Sequence, residues 1–280
     1  MKSTLLTCTV ALGLSVIANT TAAADRITGH HFATRSEAMA PNAMAATSQP
    51  LATQVALDIM QQGGNAIDAA IAANAVLGLV EPTGNGIGGD LFAIVWDAES
   101  KRLFGLNASG RSPKSLTREY FVENGYDSIP ARGVLPISVP GTVDGWFELH
   151  ERFGQLDMKD VLAPAIEYAR KGFPVTEVIA YYFERNGEVL QDYPGFADVF
   201  MKDGDMPQKG ERFTNPDLAN TYQTIAEQGR DVFYEGDIAR TISDFVQDNG
   251  GFLSYDDLAS HESTWVDPVS SNYRGYDLWE

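Results

Sequence analysis

Gly63 to Asp97 reads GGNAIDAAIAANAVLGLVEPTGNGIGGDLFAIVWD. A helix start, a nearly uncharged helix, a glycine-rich turn and an apolar strand follow one another along it. Asn65 is placed to cap the helix, because its side-chain oxygen can accept from the free N–H groups of the first turn. Asp68 adds a negative charge in that turn, where the helix dipole favours one. From Ala66 to Val80 only Asp68, Asn74 and Gly78 interrupt a run of Ala, Ile, Val and Leu. A helix with no wide polar face belongs in the core, between other layers. Pro82 and Gly84 end it. Gly86, Gly88 and Gly89 lead into Leu91–Trp96, a continuous apolar run of the length expected for a buried strand.

The glycines of the turn have two readings. Their exposed N–H groups could hold an anion or an oxyanion, or glycine could simply permit positive φ and close backbone packing. A nucleotide loop does not fit. GNGIGGD has no Lys-Ser/Thr pair, and the order helix, turn, strand is the reverse of what G-x-G-x-x-G requires.

The chain has 280 residues, enough for one large domain or two small ones, with 44% apolar and 21% charged residues. Its formal net charge of −18 argues against nucleic acid as a partner, since phosphate binding needs a basic surface. The charge is read as a solubility feature. Residues 1–24 have the form of a signal peptide. Lys2 supplies a positive start, Leu5 to Ile17 is mostly apolar, and Ala22-Ala23-Ala24 offers a cleavage site. The apolar run is too short to span a bilayer comfortably, so no stable membrane span is expected and the mature protein is expected to be periplasmic or secreted. The single cysteine, Cys8, would leave with the signal, taking with it any disulfide, cysteine nucleophile or cysteine-metal site.

Residues 25–44 read as an exposed lead-in. Ser48 is expected to cap a helix over Pro50–Gln62, with Leu51, Val55 and Ile59 on one face. After the first strand, a turn at Asp97–Lys101 and a second strand at Arg102–Leu106 suggest an antiparallel pair. Asn107 to Pro113 is then a loop. Arg111 sits in it among small residues that can neither shield it nor pair with it. It is either a fork for a carboxylate or an ordinary exposed or structurally paired arginine. Gly133 to Trp146 reads as an extended segment entering a helix at Thr142–Phe153. Further helices are expected at Leu162–Lys171, from Pro216 to Gln228 with Asn215 as cap, at Tyr234–Asp248, and briefly after Ser254. Asp203–Gly210 reads as a surface loop and Tyr273–Trp279 as a strand. Because an apolar strand end needs sheet partners, the chain is expected to belong to a longer protein.

The residues alone expose no catalytic machinery. His30, His31, His150 and His261 lack metal-ligand spacing, no G-x-S-x-G elbow is present, and no carboxylate stands out by an apolar setting. No metal and no cofactor is expected.

The ordered motifs carry more. Gly63-Gly64-Asn65-Ala66-Ile67-Asp68-Ala69-Ala70, Gly86-Ile87-Gly88-Gly89 and Ser138-Val139-Pro140-Gly141-Thr142-Val143 come first. Ala163-Pro164-Ala165-Ile166, Lys171-Gly172-Phe173-Pro174-Val175 and Phe233-Tyr234-Glu235-Gly236-Asp237-Ile238-Ala239 follow, then Asp257-Leu258-Ala259 and Tyr273-Arg274-Gly275-Tyr276. Together they resemble the N-terminal part of the γ-glutamyltransferases, with residues 45–280 as a partial large-subunit domain.

The resemblance implies an α/β (α+β) fold, the four-layer αββα sandwich of the N-terminal-nucleophile hydrolases, incomplete in this chain. It also implies a precursor that cuts itself into large and small subunits. The small subunit's N-terminal threonine would be the nucleophile and its α-amine the base. The substrate would be glutathione or a related γ-glutamyl compound, and the partner the small subunit cut from the same precursor. That threonine lies beyond Glu280, so no catalytic residue is assigned here and the chain alone is expected to be inactive. Arg111 occupies the family's place for the arginine that binds the substrate α-carboxylate, with Arg118 as the fallback. The glycine turn ends in Asp90, where many members have another glycine, and a change in a neighbouring loop is expected. A related acylase of cephalosporin or poly-γ-glutamate type, or a scaffold that lost its nucleophile, remain the alternatives.

Overall fold

The computed structural model describes residues 37–280. The signal peptide, Cys8 and the His30-His31 pair lie outside the described residues. Residues 37–44 carry no helix or strand and are exposed. Ala43–Glu280 forms a compact unit.

Helix α1 (Pro50–Gln61) opens the unit. Its cap is Gln49, whose side-chain oxygen accepts from the Leu51 N–H at 2.5 Å, and not Ser48 as expected. The Ser48 hydroxyl is turned to Glu81, beyond the next helix. That helix, α2 (Ala66–Val80), has the expected bounds. Asn65 Oδ1 accepts from the Ile67 and Asp68 N–H groups at 2.8 and 3.1 Å, and the Asp68 carboxylate accepts from the Asn65 N–H at 3.0 Å. This reciprocal box satisfies donors that would otherwise be orphaned at the helix start. Asp68 is fully buried and also accepts from the Gln155 and Leu156 N–H groups at 3.1 and 3.2 Å.

As its composition predicts, α2 is a core helix, packed against α1, α4 (Thr142–Phe153) and α5 (Met158–Lys171). Its polar positions are accounted for. Asn74 accepts from the buried Trp146 indole N–H at 2.8 Å, and Gly78 leaves room for the Tyr222 hydroxyl and for Gly86 of the glycine turn. Tyr222, on α8 (Pro216–Gln228), donates to the Ala75 carbonyl at 3.0 Å.

Strands β1 (Leu91–Asp97) and β2 (Arg102–Ala108) pair antiparallel from Leu91↔Ala108 to Asp97↔Arg102. β5 (Thr264–Val266) joins the far side of β2. The expectation of a buried β1 needs correction. Leu91, Ala93 and Val95 pack on the core, while Phe92, Ile94 and Trp96 alternate outward and are 67%, 47% and 59% exposed. Among the described residues β1 has one strand neighbour, β2, and helices cover one face of the sheet. There Gly145 of α4 lies against Ala108 and Leu91, where a Cβ would come within 2.8 Å of the alanine methyl.

The remaining elements are α3 (Arg118–Glu123), β3 (Phe173–Pro174), α6 (Glu177–Leu190), α7 (Phe196–Phe200), β4 (Arg212–Phe213), α9 (Asp231–Tyr234), α10 (Asp237–Asp248), α11 (Tyr255–Ala259), β6 (Ser270–Tyr273) and β7 (Tyr276–Trp279). β3 pairs with β4.

Several bounds differ from those expected. α5 starts a turn early, at Met158, and takes Pro164 into its interior. The helix expected over Tyr234–Asp248 is split at Glu235-Gly236, where any side chain on Gly236 would meet the Val232 carbonyl at 2.6 Å. The strand expected over Tyr273–Trp279 is a hairpin. Arg274 and Gly275 both take positive φ, 54° and 87°, and Tyr273 pairs with Tyr276. Two left-handed residues in a row make the tight turn whose twist suits a two-residue hairpin.

The fold is therefore α+β, with a helical layer on one face of an antiparallel sheet. Among the described residues a second large sheet is not formed.

Candidate functional site

Four segments distant in sequence meet where β2 ends. They are the glycine turn, the β2 exit at Ala108–Arg111, the run into α4 at Val139–Thr142, and α11 with the residues after it. The Gly89 carbonyl accepts from the Gly141 N–H at 2.9 Å, the Thr142 N–H at 3.0 Å and the Thr142 hydroxyl at 2.9 Å. No side chain fits between these backbones. A Cβ on Gly141 would lie 1.9 Å from the Ala108 oxygen, and one on Gly110 would lie 1.5 Å from the Val139 oxygen. Close backbone packing thus accounts for Gly110 and Gly141, whereas a Cβ on Gly86 or Gly88 of the glycine turn would meet open space; Gly89 donates its own N–H to the Gly86 carbonyl at 3.2 Å.

Arg111 rides on this junction. Its carbonyl accepts from the Val139 N–H at 3.0 Å, and the preceding Gly110 N–H donates to Asp90 Oδ1 at 2.8 Å. Beyond it, the Lys114 N–H donates to Asp257 Oδ1 at 3.1 Å and its ammonium to the Ser260 hydroxyl at 2.7 Å. The backbone is tied on both sides of Arg111. The residue itself is exposed, and its guanidinium makes no hydrogen bond or ion pair with any described residue. Arg118, the fallback, opens α3 and lines a cavity of about 450 Å³ that also touches Ser112, Leu116, Phe121, Ile137 and Ser138. A larger cavity, about 650 Å³, lies around Phe200, Lys202, Asp205, Met206 and Arg212 and shares no residue with the Arg111 junction.

Beneath the junction lies a buried polar network. The Asp144 carboxylate accepts from the Arg230 guanidinium and from the Ser263 N–H, the latter at 2.6 Å. The Asp144 N–H donates to the Tyr234 hydroxyl at 3.0 Å, and that hydroxyl donates to the Pro140 carbonyl at 2.8 Å. Burial works against the charge on Arg230, but Asp144 outweighs it and holds the guanidinium above its ordinary value. His261 stacks on Tyr234, with Nε2 3.7 Å from Asp144. Burial pushes His261 below its usual value. The carboxylates of Asp144 and Asp90 pull it up, and Arg230 and Arg111 push it down.

His261 is a buried ring packed on Tyr234, with no hydrogen-bond partner for Nε2 among the described residues. His150 is also structural, with Nε2 2.6 Å from the Leu156 carbonyl. No cluster of His, Cys, Asp or Glu that could hold a metal ion occurs among the described residues.

Sequence reasoning singled out Arg111 and noted Asp90 as a departure. It missed Asp257 and Thr142 as supports of the loop. The spacing Ser254-x-x-Asp257 carries a signal for the first. The two side chains form a capping box at the start of α11, and the other carboxylate oxygen of Asp257 is the one that reaches Lys114.

Comparisons with known proteins bear on this geometry. The family model described as gamma-glutamyltranspeptidase matches residues 52–280. The glutathione hydrolase-like YwrD proenzyme of Bacillus subtilis is 43% identical over 231 residues, covering 82% of this chain and 44% of that protein. The glutathione hydrolase proenzyme of Escherichia coli K12 is 32% identical over 244 residues, covering 86% and 42%. The chain thus spans less than half the length of these relatives. Among solved structures, the cephalosporin acylase of Bacillus halodurans superposes with a TM-score of 0.84 at 42% identity, over 91% of this chain and 49% of that one. The gamma-glutamyltranspeptidase of Helicobacter pylori superposes with a TM-score of 0.82 at 30% identity, over 87% and 71%. The fold is that of the N-terminal-nucleophile hydrolases. The chain belongs to the gamma-glutamyltranspeptidase family.

Proposed function

We propose that this chain is part of the large subunit of a γ-glutamyltransferase that hydrolyses glutathione or related γ-glutamyl amides. The observation that carries this reading is Arg111, whose guanidinium is unpaired among the described residues and whose loop is tied down on both sides. A planar fork carried on a restrained backbone suits bidentate binding of a carboxylate, and the γ-glutamyl group ends in one. Arg111 would hold the α-carboxylate and thereby set the γ-carbonyl against the nucleophile.

The nucleophile is a threonine that becomes the N-terminus of a small subunit cut from the same precursor. Its hydroxyl attacks the γ-amide carbon, its own α-amine takes the hydroxyl proton and passes it to the substrate's amide nitrogen, and the C–N bond breaks to release that amine as the acyl-enzyme ester forms. Water or an acceptor amino acid then takes the acyl group. Residues 1–24 would direct the precursor across a membrane, giving a periplasmic or secreted enzyme. None of the described helices is long and apolar enough to cross a membrane.

A second reading is an acylase. It is favoured by the 42% identity to the cephalosporin acylase, above the 30% to the Helicobacter enzyme. One experiment separates the readings. The uninterrupted reading frame is expressed with its export signal, run on a denaturing gel, and tested with γ-glutamyl and glutaryl anilides. Two bands and preferential release from the γ-glutamyl anilide, both lost on changing the threonine at the cut, are expected. Preference for the glutaryl amide would make it an acylase. A single uncut band without activity would make it a scaffold that lost its chemistry.

A further inference from the structure

We infer that Asp90 is a positioning residue for Arg111 and acts through the backbone N–H of Gly110. The inference rests on the reading of Arg111 as the carboxylate-binding residue.

The β2 exit passes so close to Val139 that residue 110 has no room for a Cβ. Gly110 therefore contributes no side chain to fix its own conformation, and glycine brings the widest backbone freedom of any residue. Two bonds restrain the peptides flanking Arg111, namely the Gly110 N–H to Asp90 Oδ1 at 2.8 Å and the Val139 N–H to the Arg111 carbonyl at 3.0 Å. The first depends on a single exposed side chain. Asp90 is itself well anchored, because its carbonyl accepts from the Thr142 hydroxyl at 3.1 Å and the preceding Gly89 carbonyl holds the start of α4. A glycine at position 90 would leave the Gly110 N–H to water and the Arg111 peptide with one restraint. Asp90 thus transmits the rigidity of the glycine turn to the Arg111 loop. Its effect should appear in substrate affinity, because a loosened guanidinium pays the ordering cost at each binding event.

The test uses the processed full-length enzyme and Asp90→Ala, Asp90→Asn, Arg111→Ala and the double variant Asp90→Ala/Arg111→Ala. KM and kcat are read with a γ-glutamyl anilide, and Ki with a glutaryl anilide, which keeps the terminal carboxylate but lacks the α-amine. Asp90→Ala is expected to raise KM and Ki together by roughly tenfold, the scale of one lost charged hydrogen bond, with kcat changed less than about threefold. Asp90→Asn, whose amide oxygen still accepts from Gly110, recovers most of that loss. In the Arg111→Ala background, Asp90→Ala adds nothing further.

An Asn variant as impaired as the Ala variant would overturn the inference in favour of a charge effect. A loss confined to the amine-bearing anilide would overturn it in favour of direct contact with the substrate. An additive double variant would also overturn it. If Arg111→Ala raises KM and Asp90→Ala does not, the positioning role alone falls. If Arg111→Ala leaves KM unchanged, the reading of Arg111 falls, and the role of Asp90 with it.

Discussion

Arg111 keeps its carbonyl on the Val139 N–H, while its guanidinium has no partner among the described residues, a division that makes the residue testable. Lysine at this position preserves the charge but not the two parallel donors. Arg111→Lys in the full-length enzyme is expected to raise KM for γ-glutamyl substrates roughly 10- to 150-fold, the equivalent of about 1.5–3 kcal/mol. An unchanged KM would remove Arg111 from substrate binding. Its neighbour makes a harsher case. Gly110→Ala would drive a methyl to 1.5 Å from the Val139 oxygen. A backbone shift must follow, at a cost of about 1–3 kcal/mol or more, and both the thermal midpoint and substrate affinity should fall. An alanine variant of parent-like stability would mean that the segments can part without cost. Arg111 is singled out in the sequence by its place after the glycine turn and its strand pair. Asp257 and Thr142 are not, because they reach the loop from sequence-distant segments, across hydrogen bonds that no local pattern encodes.

At the scale of elements, α2 shows how one carboxylate ties a helix to a distant loop. Asp68 closes its capping box and also receives two N–H groups from the Gly154–Leu156 turn. Asp68→Ala leaves buried donors unmatched and should cost on the order of 3 kcal/mol, read as a shift in chemical unfolding. A shift below about 0.5 kcal/mol, the scale of an ordinary surface change, would show that the turn finds other acceptors.

α11 gives a pH signature. Burial raises the Asp257 carboxyl, but the Ser254 hydroxyl, the Lys114 N–H and the Ser254 N–H outweigh it and hold it below the usual carboxylate value. A carboxyl depressed in the folded state contributes stability above its unfolded value, near 4, and loses it as the pH falls through the lower folded value. The stability gap between the parent and Asp257→Asn should therefore be widest near neutral pH and close in acid. A gap independent of pH would assign the effect to packing.

Helix α2 was legible from its Asn65 cap and its almost unbroken apolar run, and α4 and α8 from an apolar face of the right period, with Asn215 also capping α8. α6 was not. Val178, Ile179, Tyr181, Tyr182 and Phe183 favour strands by composition, and Gly187 interrupts the pattern where Met206 packs against it. The β6–β7 hairpin was read as one strand because Arg274, unlike asparagine, does not advertise positive φ.

For the molecule as a whole, the order of the motifs revealed the family, while periodicity alone gave only mixed helix and strand. The exposed face of β1 belongs to this chain taken by itself. A continuous apolar run is what a strand buried on both faces requires, yet the helices here cover one face and leave Phe92, Ile94 and Trp96 in solvent. Residues 25–280 alone should therefore fold poorly, since an apolar edge and face invite association. Expressed in isolation, they are expected to bind a hydrophobic dye and to unfold without a sharp transition. A cooperative, monomeric unfolding curve would contradict this.

The separation in sequence of the groups around Arg111 has a consequence in time. Lys114 is tied to a residue 143 positions away, and Asp144 to one 119 positions away. Contacts of such span close late, because the entropy of the intervening loops must be lost before any bond repays it. The tied-down loop around Arg111 is thus among the last features a folding chain acquires. Until those spans close, the Arg111 backbone lacks the partners that fix it, so the loop takes its shape together with the completed native state.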